Sequence, residues 1–292
     1  MDTEKSKGTP KKRRGMLRIK DRILRCLIWM FSFITMGVLV WILIYIISNG
    51  ISHISWEFIS TIYKPVNDQH GILPMILSTL YIVLITIVIA TPIGICSAIY
   101  LVEYSKPGKV LSLIRFATET LSGIPSIIYG LFGYIFFVIA LHLKWSLLSG
   151  ALTLSIMVLP TIIRTTEESL KSVPIAYKEG SLALGATKLT TIAKVILPCA
   201  ISGILTAVIL SIGRIVGETA AVYLTAGYVT RIPSSIMDSG RTLSVHLYQL
   251  AKEGISFEQS FATATVLVVV VAIINLLATT LAKSIKKFTI GG

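Results

Sequence analysis

Arg214 and Glu218 stand four residues apart in an otherwise apolar stretch, LPCAISGILTAVILSIGRIVGETAAVYLTAG, from Leu197 to Gly227. In a helix, side chains at that spacing share a face, so a guanidinium and a carboxylate here are within reach of each other. Insertion scales charge about 2.5 to 3.5 kcal/mol for each such group near a bilayer centre, roughly 5 to 7 for two. The twelve Leu, Ile and Val residues between Leu197 and Leu224 return about 0.3 to 0.6 kcal/mol each, roughly 4 to 7 in all. The two sums nearly cancel. A helix that gives up its hydrophobic surplus needs a use for the charges, and the pair is expected to face a protein interior or a solute path.

The rest of the chain supplies the setting. It has 292 residues, 54% of them hydrophobic, and the apolar residues are gathered into uncharged runs. Cys26–Trp56, Gln69–Val102, Thr120–Leu143, Trp145–Ile163 and Gln259–Ala282 contain no Asp, Glu, Lys or Arg, and Val195–Gly213 leads into the Arg214 stretch. Each reaches the roughly 18 residues of a spanning helix. The expected architecture is all-α, with six transmembrane helices near 24–48, 72–102, 119–141, 146–165, 197–224 and 260–282. Nothing alternates with period two as a membrane barrel requires.

A net charge of +13 in a soluble chain would suggest nucleic acid, but its distribution argues otherwise. Ten of the 27 Lys and Arg residues fall in Lys5–Arg25, ahead of the first span. With a cytoplasmic N-terminus, the inner segments hold 21, and the outer ones only Lys64, Lys144, Arg231, Arg241 and Lys252. That asymmetry follows the positive-inside rule and places both termini in the cytoplasm. The KKRR run reads as a solvated basic tail that fixes topology and touches membrane lipid, with no role for nucleic acid. The first span is too long for a signal-peptide core and is expected to stay as an anchor. Cys26, Cys96 and Cys199 read as isolated packing residues, and His53, His70, His142 and His246 lack paired spacing, so no metal site is expected.

The expected domains are a basic segment over 1–23, a first helix and outer loop over 24–70, a core of five transmembrane helices over 71–283 that includes the inner loop over 166–197, and a tail over 284–292. Glu119 is placed in the first turn of the third span, where a carboxylate suits the helix dipole. The GIPSIIYGLFG run after it, Gly123–Gly133, fits a pathway lining and an ordinary packed helix equally well. The outer segment 225–259 includes LSVHLYQL, Leu243–Leu250, which could form a re-entrant or interfacial helix. The inner segment over 166–197 predicts a helix starting after Pro174 over Ile175–Leu184, interrupted by Gly185. A second stretch follows with Leu189, Ile192 and Ile196 on one side. Ala176, Gly180 and Ala183 give the first helix a smooth face, with Glu179 beside it, suited to a groove in another protein.

The run EGSLALGATKLTTIAKVILP, Glu179–Pro198, resembles the EAA loop of permeases of type I ATP-binding-cassette (ABC) importers. Glu179, Gly185, Leu197 and Pro198 match that motif directly, while Gly180, Ser181 and Val195 are small or aliphatic replacements. LSGIPSIIYGLFG, LPTIIRTTEESLKSVP and especially GRIVGETAAVYLTAG are similar to the phosphate-specific permeases of the Pst system. YLVEY at 100–104 and the GETA ending favour the PstA type, and the similarity runs from about Gly71 onward. The family usually shows GRAIGET; Ile215 and Val216 depart from it conservatively.

That resemblance implies a phosphate-translocating subunit with Arg214, Glu218, Thr219 and Glu119 on the pathway. It also implies that Glu179, Gly180, Ser181, Ala183 and Gly185 meet the ATPase. Arg214 would hold phosphate through its two-pronged fork. Glu218 would either hold Arg214 until phosphate competes for it or form a permanent structural pair. The chain has no G-x-x-x-x-G-K-[ST] loop. No cofactor is therefore expected in it, ATP and Mg being bound by a separate dimeric, PstB-like ATPase. A PstC-like second permease and an extracytoplasmic, PstS-like phosphate-binding protein complete the implied set, in a prokaryotic inner membrane. The rival readings are a permease for sulfate or molybdate, an ATP-independent transporter and a plain anchor.

Overall fold

The computed structural model describes residues 11–64 and 69–290. Two compact units are distinguished, the first ending at Asn49 and the second beginning at Gly50. The first is the long helix α1, Lys11–Gly50. Its side chains from Asp21 to Tyr45 are exposed, leaving an apolar surface of the kind lipid covers. The basic run at its start contributes Lys11 to Arg14 to the helix, while Lys5 and Lys7 lie outside the described residues.

In the second unit, a 3₁₀ turn (Ile51–His53) leads to a short helix α2, Trp56–Ser60. Ser55 caps α2 by accepting from the Phe58 amide at 3.0 Å. Strands β1 (Tyr63–Lys64) and β2 (Gln69–His70) then pair antiparallel. Phe58, Tyr63, Ile72 and Met75 join Leu243, Ala262 and Val266 in one buried cluster, so the segment after Gly50 is packed into this unit.

The spans follow. Helix α3 (Leu73–Ile99) ends in a π-helical turn, Tyr100–Tyr104. Helix α6 (Leu147–Lys171), capped by Ser146 at 3.1 Å, is the central member, with Leu154, Met157, Val158 and Ile162 fully buried. Helix α9 (Leu197–Gly217) is reached through α8 (Lys188–Thr191) and a π-helical turn, Ile192–Ile196. Helix α12 is Phe257–Ile290. Among the described residues, five helices are long and apolar enough to span, and the sixth candidate is a bent pair.

Three expectations are corrected. The third span is not one helix over 119–141: α4 (Lys109–Ser122) and α5 (Ser126–Gly133, continued as a π turn to Ala140) meet at 102°. Pro125 is the cause, since it forces extended backbone and cannot donate to the preceding turn. The fifth span begins at Lys188, inside the expected cytoplasmic loop, and stops at Gly217 instead of Leu224. Finally, Cys26, Cys96 and Cys199 are free and exposed, so they do not fill the interior. The Leu243–Leu250 helix does form, as α11 (Leu243–Lys252), with Leu243, Val245, His246 and Leu250 buried.

Candidate translocation site and coupling loop

Helix α9 ends where the sequence expects it to continue. Glu218 is extended (φ −72, ψ 130), and a separate short helix, α10, runs from Ala220 to Thr225. Gly213 and Gly217 have open space where a Cβ would stand, and glycine is the weakest ordinary helix former. The Glu218 carbonyl, released from the helical ladder, accepts instead from the Ser244 hydroxyl of α11 at 2.7 Å. A break at the end of an apolar span is tolerated when its backbone groups are satisfied in this way.

The break separates the two charges. Arg214 lies in the last turn of α9, where the helix dipole favours a cation, and Glu218 is outside the helix. Among the described residues, neither side chain forms an ion pair. The expected i,i+4 contact is therefore absent from this structure, because the helix that would impose it has ended. Arg214, Glu218 and Thr219 are all partly exposed. The Tyr129 hydroxyl of α5 donates to the Leu121 carbonyl at 2.7 Å across the α4–α5 bend. Helix α5 comes this close to α10 because residue 130 is glycine. A Cβ there would stand 2.8 Å from the Ala221 Cα.

Glu119 is not brought to this site. It lies near the C-terminal end of α4, not in a first turn, so the dipole argument for it fails. Its side chain is 72% exposed and faces Arg164 of α6 at 3.8 Å. It belongs to a charged cleft of about 210 Å³ that also includes Arg115, Glu167, Glu168 and Lys171. There Glu167, 10% exposed, accepts from Arg115 at 2.6 Å and from Lys171 at 2.7 Å. The spacing of Arg164, Glu167, Glu168 and Lys171 on one helix was the sequence signal for this cluster.

The loop between α6 and α9 folds as a helical hairpin. Helix α7, Ile175–Ala183, starts after Pro174. The turn passes through Gly185 at φ +86, a left-handed conformation that glycine adopts without strain. Thr187 then caps α8, accepting from the Thr190 amide at 3.2 Å, and Ser181 bonds Thr191 across the hairpin at 3.0 Å. Ala176, Glu179, Gly180 and Ala183 are all exposed, as a docking face requires, and Leu184 is 91% exposed. Ile192 and Ile196 are buried as their shared side predicts, but Leu189 faces outward.

Two residues overlooked in the sequence hold these parts. Glu103, in the π turn that ends α3, accepts from Lys178 of α7 at 2.6 Å. On the far side of the unit, Arg241 donates through Nε to the Tyr228 carbonyl at 2.9 Å and lies 3.2 Å from His246 Nδ1. Burial, reinforced by Arg241, pushes the His246 imidazole down to about 3, so it stays neutral and accepts from the guanidinium.

Comparisons agree with this architecture. The chain is 34% identical to the probable ABC transporter permease protein YqgI of Bacillus subtilis strain 168, over 92% of this chain and 97% of that one. It is 31% identical to the phosphate transport system permease protein PstA 1 of Mycobacterium tuberculosis strain CDC 1551, over 89% and 88%. Among solved structures, a bacterial ABC transporter involved in import of the acidic polysaccharide alginate superposes with a TM-score of 0.63, covering 92% of this chain and 99% of that chain. It is 16% identical, a likeness of fold alone. Residues 90–289 match the model for the binding-protein-dependent transport system inner membrane component, and the chain belongs to that family of multi-pass membrane permeases.

Proposed function

We propose that this chain is the PstA-type permease subunit of an ATP-driven importer that carries inorganic phosphate into the cytoplasm. The observation that carries the reading is the Arg214 guanidinium, without a carboxylate partner among the described residues, in the last turn of a span where α9 gives way to α10. A fork of donors that no carboxylate occupies suits a tetrahedral oxyanion, which can take two of its N–H groups at once. Glu218 repels the same anion, which keeps its stay short, and the Thr219 hydroxyl offers a neutral donor. Glu119 has no part in this contact and stands apart, facing Arg164 in the charged cleft. The similarity to the mycobacterial phosphate permease names phosphate as the cargo over sulfate or molybdate.

Glu179, Gly180, Ala183 and Gly185, braced from behind by the Ser181–Thr191 bond, form the face offered to a dimeric, PstB-like ATPase, which binds the ATP and Mg this chain has no loop for. The chain is then a non-catalytic subunit. A PstC-like permease completes the path, a PstS-like binding protein delivers phosphate from outside, and both termini lie in the cytoplasm, as the excess of basic residues on that side requires. The test is uptake by the assembled complex in proteoliposomes, with sulfate and molybdate as competitors. Phosphate uptake that depends on ATP and on the binding protein, unaffected by the competitors, is the expected result. Uptake without ATP, or equal competition by sulfate, removes the reading.

A further inference from the structure

Lys178 and Glu179 are neighbours on α7 with opposite outlooks. Glu179 is exposed on the docking face, whereas Lys178 is half-buried and turned toward the span side. There it meets Glu103, whose side chain is 5% exposed, at 2.6 Å. A second tie comes from α8, where Lys188 Nζ donates to the Glu103 carbonyl and lies over the Tyr104 ring at 4.4 Å. The end of α3 thus holds both helices of the hairpin. Beneath these polar ties, Ala98 of α3 packs with Leu170, Ile192, Ile196 and Ala200.

Glu103 stands inside the π turn that closes α3, a wider turn than the α-helix before it. The Ser105 amide accordingly returns to the Tyr100 carbonyl, five residues back, at 2.9 Å.

We propose that Glu103 is a positioning residue that fastens the coupling helix α7 to the end of span α3, so that force applied at α7 moves α3. The proposal rests on the reading of α7 as the ATPase-facing helix. Without the tether, α7 would reach α3 only by way of α8 and the turn after it, whose own contacts with the end of α3 remain. With it, one push displaces α3 and α9 together, and α3 packs along the central helix α6. A nearly buried carboxylate is suited to the task. Its partner cannot leave without stranding a charge in a poorly solvated place, so the contact resists opening under load.

The test uses the complete complex in proteoliposomes and reads phosphate delivered per ATP hydrolysed. Glu103→Gln and Lys178→Gln are each expected to lower that ratio about fivefold or more, the lower end of a typical coupling free energy. The double variant should fall no further than the worse single, because both remove one contact. A wild-type ratio in either assembled single variant, or effects that multiply in the double, overturns the proposal. Should Glu103→Gln fail to assemble, Lys178→Gln decides alone, since it removes the tether from the hairpin side. If the unaltered complex shows no phosphate uptake at all, the functional reading has failed instead, which is a distinguishable result.

Discussion

The Ser244 hydroxyl donates to the Glu218 carbonyl at 2.7 Å, joining the start of α11 to the point where α9 gives way to α10. This bond satisfies a carbonyl that a continuous helix would have paired internally, so the break depends on it. Ser244→Ala leaves that part-buried acceptor without its donor, at a cost of about 1 kcal/mol. The expected outcome is a lower thermal midpoint of the detergent-solubilised complex together with reduced uptake, with Ser244→Thr close to wild type. An unchanged midpoint in the alanine variant would mean that the break holds without this bond.

The same break governs the charges. Arg214→Lys keeps a positive charge but loses the two-pronged fork, so phosphate uptake should fall about tenfold, equivalent to about 1.4 kcal/mol. Glu218→Gln removes the repulsion that hastens release. It should lower KM and the maximal rate together, since a tighter anion leaves more slowly. Uptake kinetics of variants that still co-purify with their partners decide the matter; near-normal values in both would take Arg214 off the path.

Much of this was legible beforehand, and the exceptions share a cause. Uncharged runs such as Gln69–Val102 announce spans because water-free surroundings leave few alternatives. The hairpin was readable from Pro174 and Gly185, whose backbone constraints are local. The end of α9 was not, because Glu218 to Thr225 contains nothing that forbids a helix, and the bond that stabilises the break comes from Ser244, 26 residues later. Glu103 was missed for a similar reason: its partner, Lys178, stands 75 residues later, and nothing local to the YLVEY segment announces the contact. Glu119 was misassigned because the span was started at the edge of an uncharged run, whereas α4 already begins at Lys109 and the real boundary is Pro125.

His246 gives the fold a one-sided pH dependence. Its folded value of about 3 lies below the ordinary 6.5, so between these limits the unfolded chain binds a proton that the folded chain refuses. Stability therefore rises with pH through this window and is flat above it. At pH 5 the contribution is about 2 kcal/mol below its plateau. The difference in thermal midpoint between wild type and His246→Asn, which retains an acceptor for Arg241, should shrink as pH falls from 7 to 5. A constant difference would show that the imidazole does not titrate this way.

Gly185 makes the coupling hairpin testable at a single atom. Nothing lies within 4 Å of where its Cβ would stand, so a substitution there meets no clash, and only its φ of +86 resists change. Alanine in a left-handed conformation costs roughly 1 to 2 kcal/mol, whereas asparagine tolerates it better through local hydrogen bonds. The hairpin is exposed and its two helices meet at the Ser181–Thr191 bond, so the strain is relieved by reorienting α7 and leaves the spans intact. Gly185→Ala should therefore preserve membrane insertion and thermal stability but weaken ATPase co-purification and uptake, and Gly185→Asn should recover most of both. Equal behaviour of the two variants would mean that side-chain bulk at the interface, and not the turn geometry, sets the effect.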